Sequence, residues 1–482
     1  MQLFLITIFG LILRLFKIVK PEGLWNDEYV SWMTAAVPFG SGFWEAVTKQ
    51  CHMPLYYLYL KPFTGCSDII LRLTSVLPSL IAIPVMYLVG KEYSKKAGLF
   101  CAGITSALPF LIFYAQEVRF YSLVFLLSSL ALLFAIRAVK SNNNKHLLLY
   151  GIFSLLLIFT HHLGMIYVFF VSIYICYKKG INLRNFAIAL SAISVIILPF
   201  GLYILRQIPS SQWWGSFSYT NIMFLFSDFF SPILTNHINA PKFFYYEEGI
   251  LFGLLITVPT IIALAGIIIG SFKNKGLSLI ALLTIIVMSI LACTGKVMFI
   301  TKYLTEILPI LILLFVLGYK QKYSNLLICL FIGIQIYSIF TPYYPTRNYR
   351  SEGHRIVGEI LNSTNPDKIL FTYYAPDRFY RYWNKKGTAY YISKINRFDY
   401  NETPQNILKE VKSGDKTAFV FLDSVSFIEP RSMELARLSN IPEMFITFSE
   451  IKNKLVKEIN DNYKDFEVYK QGSWTVITAV KK

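Results

Sequence analysis

The chain has 482 residues and a formal net charge of +18; 55% of its residues are hydrophobic, 16% aromatic and only 15% charged. Soluble globular chains carry about 25% charged residues, and a mean hydropathy of +0.50 excludes an ordinary soluble enzyme, a disordered chain and a coiled coil. The class that fits is an α-helical polytopic membrane protein.

In chain order, apolar runs of spanning length occupy residues 3–19, 69–90, 97–115, 120–139, 147–160, 163–177, 186–205, 250–271, 277–294, 303–318 and 325–341. They predict about eleven transmembrane helices, although two runs fall short of the roughly 20 residues a span usually needs. Residues 3–19 carry Arg14 and Lys17 at their far end, and no small-residue cleavage site follows. The run therefore reads as a retained first helix and not as a signal peptide.

Alternate connections are basic. Lys91, Lys95 and Lys96 fall in one; Arg137, Lys140 and Lys145 in the next; then Lys178, Lys179 and Arg184; then Lys273 and Lys275; then Lys320 and Lys322, with Glu92 the one acid among them. The positive-inside rule puts these connections and the N-terminus in the cytosol, and residues after the last span outside it, in a cell membrane. Loop topology thus explains the basic excess, and no nucleic-acid partner is expected. Two outward loops are long, residues 20–68 and 206–248. The second contains Trp213, Trp214, Phe229 and Phe230, an aromatic composition expected to lie at the membrane surface.

Charge density changes after Tyr343, where 24 basic and 11 acidic residues give way to 22 and 17 in a much shorter stretch. Two domains are expected: a membrane domain over 1–343 and a small extracytoplasmic α/β domain over 344–482. In the second, residues 368–374, 417–422 and a pair within 466–480, with a Gln471-Gly472 turn, read as strands. Residues 352–361, 404–411 and 448–459 read as helices. It has no G-x-G-x-x-G and no P-loop, so a nucleotide is not indicated. The basic stretch 348–355 reads as a solvated linker or, alternatively, as a donor-phosphate contact. Six Cys show no metal-ligand spacing. Cys101, Cys176, Cys293 and Cys329 read as packing residues, while Cys51 and Cys66 share one outward polar segment and pair if that compartment is oxidising.

Three outward segments carry chemistry. Just past the first span stand Asp27 and Glu28. They are either the start of a helix, with Asn26 or Asp27 as cap, or a catalytic carboxylate that takes a proton from an acceptor. Next comes His52-Met53-Pro54-Leu55-Tyr56-Tyr57, where Pro54 suits a helix start and a lone His is more often structural. The third is Gln116-Glu117-Val118-Arg119-Phe120-Tyr121, a turn between spans. Glu117 and Arg119 are expected at the membrane face there, Arg119 either as a snorkelling anchor or as an anion ligand.

Together these segments resemble glycosyltransferases of the GT-C fold, in the branch of protein O-mannosyltransferases, aminoarabinose transferases and lipopolysaccharide-core transferases. That family shows a first helix ending in Arg, an acidic pair, an H-P-P-L-Y-Y-like stretch and a Q-x-x-R-x-Y-like turn; here these are Arg14, Asp27-Glu28, His52 to Tyr57 (with Met53 in place of the first Pro), and Gln116 to Tyr121. Thr160-His161-His162 and Lys302-Tyr303 fit later motifs. The resemblance implies transfer of a sugar, with inversion, from a polyprenyl-phosphate donor to an extracytoplasmic glycan, lipid or protein acceptor at the membrane. It implies Asp27 as the carboxylate at the acceptor, with Glu28 orienting it or the acceptor. Arg119, Lys302 and Arg72 are the implied cations at the leaving phosphate, and His52, His161, His162, Tyr57 and Glu117 the implied donor-binding groups. No cofactor is expected. The first loop lacks D-x-D, so a metal-independent reaction is favoured over use of a divalent cation. The alternatives are a glycan polymerase or ligase working on polyprenyl-diphosphate-linked chains, and a lipid-linked sugar flippase; the latter calls for charged or broken helices near the bilayer midplane.

Overall fold

A computed structural model describes residues 1–19, 23–50, 52–141, 143–180, 219–231, 249–294, 299–319, 324–341, 344, 354–371, 381–382, 389–392, 411–422, 456–457, 459–471 and 474–482. They form two compact units. One gathers Met1–Ile18 and Val30–Thr346, the other Val19–Tyr29 and Arg347–Lys482. The segment that carries the acidic pair therefore clusters with the C-terminal residues, a grouping that the charge step after Tyr343 does not reveal.

The first unit is helical. Its elements are α1 (Gln2–Leu15), the body of α2 (Asn26–Ala36), α3 (Ser41–Lys49), α4 (Leu55–Leu60), α5 (Asp68–Lys91), α6 (Lys95–Ala107), α7 (Pro109–Ala115), α8 (Tyr121–Lys140), α9 (Asn144–Thr160) and α10 (Gly164–Lys179). They continue with α11 (Tyr219–Phe230), α12 (Gly249–Lys273), α13 (Lys275–Cys293), a 3₁₀ segment Thr301–Ile307, α14 (Leu308–Gly318) and α15 (Ser324–Ile339). Among the described residues five helices are long and apolar enough to cross a membrane, or six if the bent pair α6–α7 is one span. α1, α9 and residues 325–339 of α15 are shorter apolar helices. The predicted run 186–205 lies outside the described residues.

The bend has a local cause. Leu108 is extended (φ −68°, ψ 115°) ahead of Pro109, and the two halves meet at 55°; a residue before proline is pushed out of the helical region. On the basic α5–α6 connection, Glu92 pairs with Arg137 at 2.7 Å and Lys140 at 3.6 Å, which ties α8 to that turn. α12 and α14 meet backbone to backbone. A Cβ added to Gly270 would lie 2.0 Å from the Leu314 carbonyl oxygen, and one added to Gly318 would lie 2.0 Å from that of Gly266. The Gly266-x-x-x-Gly270 spacing is the small-residue seam that lets membrane helices approach closely, where the hydrophobic effect gives no drive to association.

Phe229 and Phe230, expected at the membrane surface, are instead buried on α11. Phe229 meets Phe110 at 5.0 Å, and Phe230 meets Phe315 and Phe331 at 6.2 Å each. Composition alone read these rings as interfacial, but the helix turns them inward onto partners far along the chain. Trp213, Trp214 and Cys51 lie outside the described residues, and with them the Cys51–Cys66 pairing.

The second unit holds α16 (His354–Thr364) and a five-stranded sheet of β1 (Lys368–Phe371), β2 (Ala389–Ile392), β3 (Lys416–Leu422), β4 (Tyr463–Gln471) and β5 (Trp474–Lys481). Strand order is β2-β1-β3-β5-β4. β1 runs parallel to β2 and β3, while β5 is antiparallel to β3 and β4. Side-chain alternation gives the sheet two buried faces. Ile369, Ala418, Val420 and Val476 take Val357 and Leu361 of α16, and Leu370, Phe419, Phe421 and Ala479 pack with Val411, Ile459 and Tyr463. The predicted hairpin and α/β class are present, and β2 is additional. His354 is fully buried at the start of α16, which corrects the reading of that position as part of a solvated linker. The predicted helix 404–411 lies outside the described residues except for Val411, as does most of 448–459.

Candidate active site

Several motif residues serve the end of α1. The Arg14 guanidinium is buried and donates through Nε to Ser79 Oγ at 2.8 Å. Through Nη1 it donates to the Gly10 and Ser106 carbonyls, and through Nη2 to that of Thr105, each at 3.0 Å. Ser106 and Thr105 close α6, where carbonyls lack helical partners, so Arg14 staples α1 to α5 and α6. Gln116 Nε2 donates to the Arg14 and Phe16 carbonyls at 3.0 and 2.5 Å. Arg72 Nη1 donates to the Ile18 carbonyl at 3.3 Å. Gln116 and Arg72 thus hold the chain at and just past the end of α1, and Arg14 ties that helix to α5 and α6.

The turn between α7 and α8 is the hub of a second arrangement. Arg119 is buried, not snorkelling. Its Nη1 donates to Ser31 Oγ at 3.2 Å, its carbonyl accepts from Ser75 Oγ at 3.2 Å, and its own N–H bonds the Glu117 carbonyl at 2.7 Å. Its guanidinium lies 5.0 Å from the Phe120 ring and 5.7 Å from that of Tyr121. Glu117 is likewise buried.

Phe120 gathers imidazoles. His161 stacks on it at 5.1 Å and 25°, and His52 lies 5.1 Å away. His162 is 5.5 Å from His161, and Tyr57 is 6.4 Å from His52. Tyr303 lies 5.8 Å from His161 and 6.4 Å from Tyr121. Lys302 Nζ sits 5.7 Å from the Tyr121 ring and 5.6 Å from that of Tyr303. Segments around positions 52, 119, 161 and 302 therefore converge on one plate of aromatic rings. Each cation is held against ring faces, which attract positive charge.

His161 and His162 occupy the short connection between α9 and α10. Burial pushes the His161 imidazole well below its ordinary pKa, reinforced by the charges of His162, His52 and Arg119. Burial likewise pulls His162 down to about 4. Both rings are neutral at pH 7, and each presents an Nδ1 with no hydrogen-bond partner. Among the described residues no three of His, Cys, Asp and Glu come together at metal-binding range.

The acidic pair divides in role. Tyr29 N–H bonds the Trp25 carbonyl at 2.8 Å, so Trp25 caps α2, and Glu28 Oε2 accepts from the Trp25 N–H at 3.1 Å. This is the return half of a capping box, and Glu28 is fully buried in it. Asp27 occupies the first turn of the same helix and is partly exposed. The helix-start reading is realised, with Trp25 and not Asn26 or Asp27 in the capping position and Glu28 as its return partner.

Sequence reasoning missed two features. Phe120, Tyr121 and Tyr303 organise the cluster, and the signal was the cation-aromatic adjacency in Arg119-Phe120-Tyr121 and Lys302-Tyr303. Asp228 of α11 is fully buried and accepts from Thr301 Oγ1 at 2.8 Å, beside Lys302 in sequence; no local pattern marks it.

No protein-family model and no curated protein matches the sequence. Solved structures do match. ArnT from Cupriavidus metallidurans bound to undecaprenyl phosphate gives a TM-score of 0.54 at 13% identity, covering 98% of this chain and 97% of that one. Its apo state gives 0.52 at 13% identity with the same coverage. An oligosaccharyltransferase from Archaeoglobus fulgidus, tethered with an acceptor peptide, gives 0.50 at 10% identity and covers 100% of this chain and 74% of that one. Both proteins are membrane glycosyltransferases of the GT-C fold. At these identities the likeness establishes architecture: the chain has the GT-C fold, as a multi-pass helical membrane protein with a small sheet-containing unit.

Proposed function

We propose that this protein is an integral membrane glycosyltransferase that moves a sugar from a polyprenyl-phosphate donor to an extracytoplasmic hydroxyl or amine, with inversion. The observation that carries the reading is the convergence of Arg119, Lys302, His52, His161 and His162 on one aromatic plate in a chain of GT-C fold. A buried guanidinium and a partly exposed ammonium beside ring faces, with the neutral imidazoles of His161 and His162 alongside, suit a phosphate attached to a sugar and an apolar tail.

The acceptor heteroatom attacks the anomeric carbon opposite the phosphate. The carbon–oxygen bond to the phosphate breaks, its electron pair leaves with the polyprenyl phosphate, and the acceptor proton passes to Asp27. A carboxylate there aligns the acceptor and takes the proton as the new bond forms. Negative charge grows on the leaving phosphate, and Arg119 and Lys302 oppose it where low dielectric strengthens their effect. His52, His161 and His162 bond phosphate or sugar oxygens, and Arg72, Tyr57 and Glu117 line or support the donor site. The reaction as written needs no metal.

Two solved relatives in fold support the substrate classes, one bound to undecaprenyl phosphate and one tethered to an acceptor peptide. Glycan, lipid and protein acceptors all fit the chemistry. Mass spectrometry of the polyprenyl-linked sugar that copurifies with the protein identifies the donor; a long glycan on a diphosphate would instead indicate a polymerase or ligase. Transfer in detergent, with no sealed compartment, excludes a flippase as the whole activity. Asp27→Asn is expected to abolish transfer with normal expression and undecaprenyl phosphate binding, and full activity in that variant would overturn the assignment.

A further inference from the structure

We infer that His354 and Tyr382, far along the chain, are positioning residues for the loop that carries Asp27. The inference rests on the proposed role of Asp27. Its physical content lies wholly within the unit formed by Val19–Tyr29 and Arg347–Lys482.

Leu24 is gripped by both of its backbone polar groups. Its N–H donates to Tyr382 Oη at 2.8 Å, and its carbonyl accepts from His354 Nδ1 at 3.0 Å. A carbonyl only accepts, so the His354 proton in this bond is on Nδ1. Leu24 and His354 are both buried. An apolar residue at the exit of a membrane helix is here bonded, through its main chain, to side chains about 330 and 358 positions away.

The gripping residues are themselves fixed. His354 opens α16, which is docked on the sheet through Val357 and Leu361. Tyr382 is held by Asn362 Nδ2 on its carbonyl at 2.9 Å and by the Arg355 guanidinium 5.4 Å from its ring. Two glycines make room for it. A Cβ on Gly23, whose φ is +90°, would fall 2.6 Å from Tyr382 Oη, and one on Gly358 would fall 2.7 Å from Tyr382 Cβ. At Gly23 the positive φ and the close approach both demand glycine.

The bracket leads directly to the acidic pair. After Leu24, Trp25 is tied by its N–H to Glu28 and by its carbonyl to Tyr29. Ahead of Asp27, Leu24 is thus bonded to Tyr382 and His354, and Trp25 to the first turn of the helix that carries the carboxylate. Proton transfer is sensitive to displacements of a fraction of an ångström. Loosening Leu24 would leave donor binding intact while misplacing the carboxylate.

The test uses the full-length protein in detergent and the polyprenyl-phosphate sugar that copurifies with it. Tyr382→Phe removes one oxygen and keeps the ring. Its kcat is expected to fall roughly tenfold, the equivalent of one neutral hydrogen bond, while donor KM and undecaprenyl phosphate binding stay within about twofold. Hydrogen exchange of residues 23–29 should accelerate with no change in the melting temperature of the whole. His354→Asn keeps a donor near the Nδ1 position and should retain more activity than His354→Leu. Wild-type kcat in Tyr382→Phe and in the Tyr382→Phe/His354→Leu double variant, beside an inactive Asp27→Asn, would overturn the inference alone. A raised donor KM or a collapse of the melting temperature would overturn it in favour of a merely structural bond. An active Asp27→Asn would overturn the role of Asp27 itself, and the inference with it.

Discussion

Removing the charge of Lys302 probes the donor reading most directly. Lys302→Met keeps the length of the stem and its packing on Tyr121 and Tyr303 but deletes the ammonium. A charge-assisted hydrogen bond to a phosphate contributes about 1.5–3 kcal/mol, a factor of roughly 10 to 150 in affinity. Part of that is offset by the ring contacts of the ammonium, which lies 5.7 and 5.6 Å from two ring centroids; such contacts stabilise it by about 0.5–1 kcal/mol each. Moving onto a phosphate loosens them, so the lower end of the range decides, with about tenfold weaker binding of undecaprenyl phosphate. Because charge on the leaving phosphate grows during transfer, kcat should also fall, by more than the ground-state loss implies. The assay is native mass spectrometry of the detergent-purified protein titrated with undecaprenyl phosphate, paired with turnover. Lys302→Arg should stay near wild type. Unaltered affinity in Lys302→Met, in protein that melts normally, would refute the placement of the donor phosphate at this cluster.

Three further outcomes follow from the geometry. Arg14→Met strips a buried network of four hydrogen bonds and should destabilise the protein by about 1.5–3 kcal/mol, the range for hydrogen bonds to a charged group, read as a lower melting temperature in detergent, with Arg14→Lys intermediate. Gly270→Ala places a methyl on the rigid Leu314 carbonyl and should cost about 1–3 kcal/mol by overpacking, seen in the same melt. His161 and His162 carry depressed pKa values in the folded chain, so the unfolded chain binds more protons between about 4 and the ordinary value of 6.5. Stability is therefore full above pH 6.5 and is lost as pH falls toward 4; His162→Asn should flatten that decline in a pH series of melting curves.

The apolar runs disclosed the helices because bilayer thickness imposes a length and a composition that any window of sequence records. The Gln116 to Tyr121 turn and His161 were legible for a related reason: polar groups between two apolar runs stand out. What they do there was less visible. Arg14 and Gln116 stand in the same motif pattern as Arg119, yet Arg14 holds carbonyls at the end of α6 and Gln116 holds those at the end of α1. Motif order does not distinguish a staple from a ligand, since both need the same donor groups. Phe229 and Phe230 were misread because hydropathy reports what a side chain avoids and not which partner it finds. The membership of Val19–Tyr29 in the C-terminal unit was invisible, because the bonds Leu24 makes to Tyr382 and His354 come from its main chain, and its side chain gives no hint of them.

Arg14 also constrains how the protein is made. Its partners Ser79, Thr105 and Ser106 lie 65, 91 and 92 residues downstream, so the ribosome delivers them long after the first helix has emerged. A lone arginine raises the free energy of inserting a helix by about 2.5–3.5 kcal/mol at its centre and by less toward its ends. Until Thr105 and Ser106 have been synthesised, the Arg14 guanidinium has only the Gly10 carbonyl of its own helix and Ser79 to offset its loss of hydration. Helix α1 therefore reaches its full set of bonds only after α6 has been made.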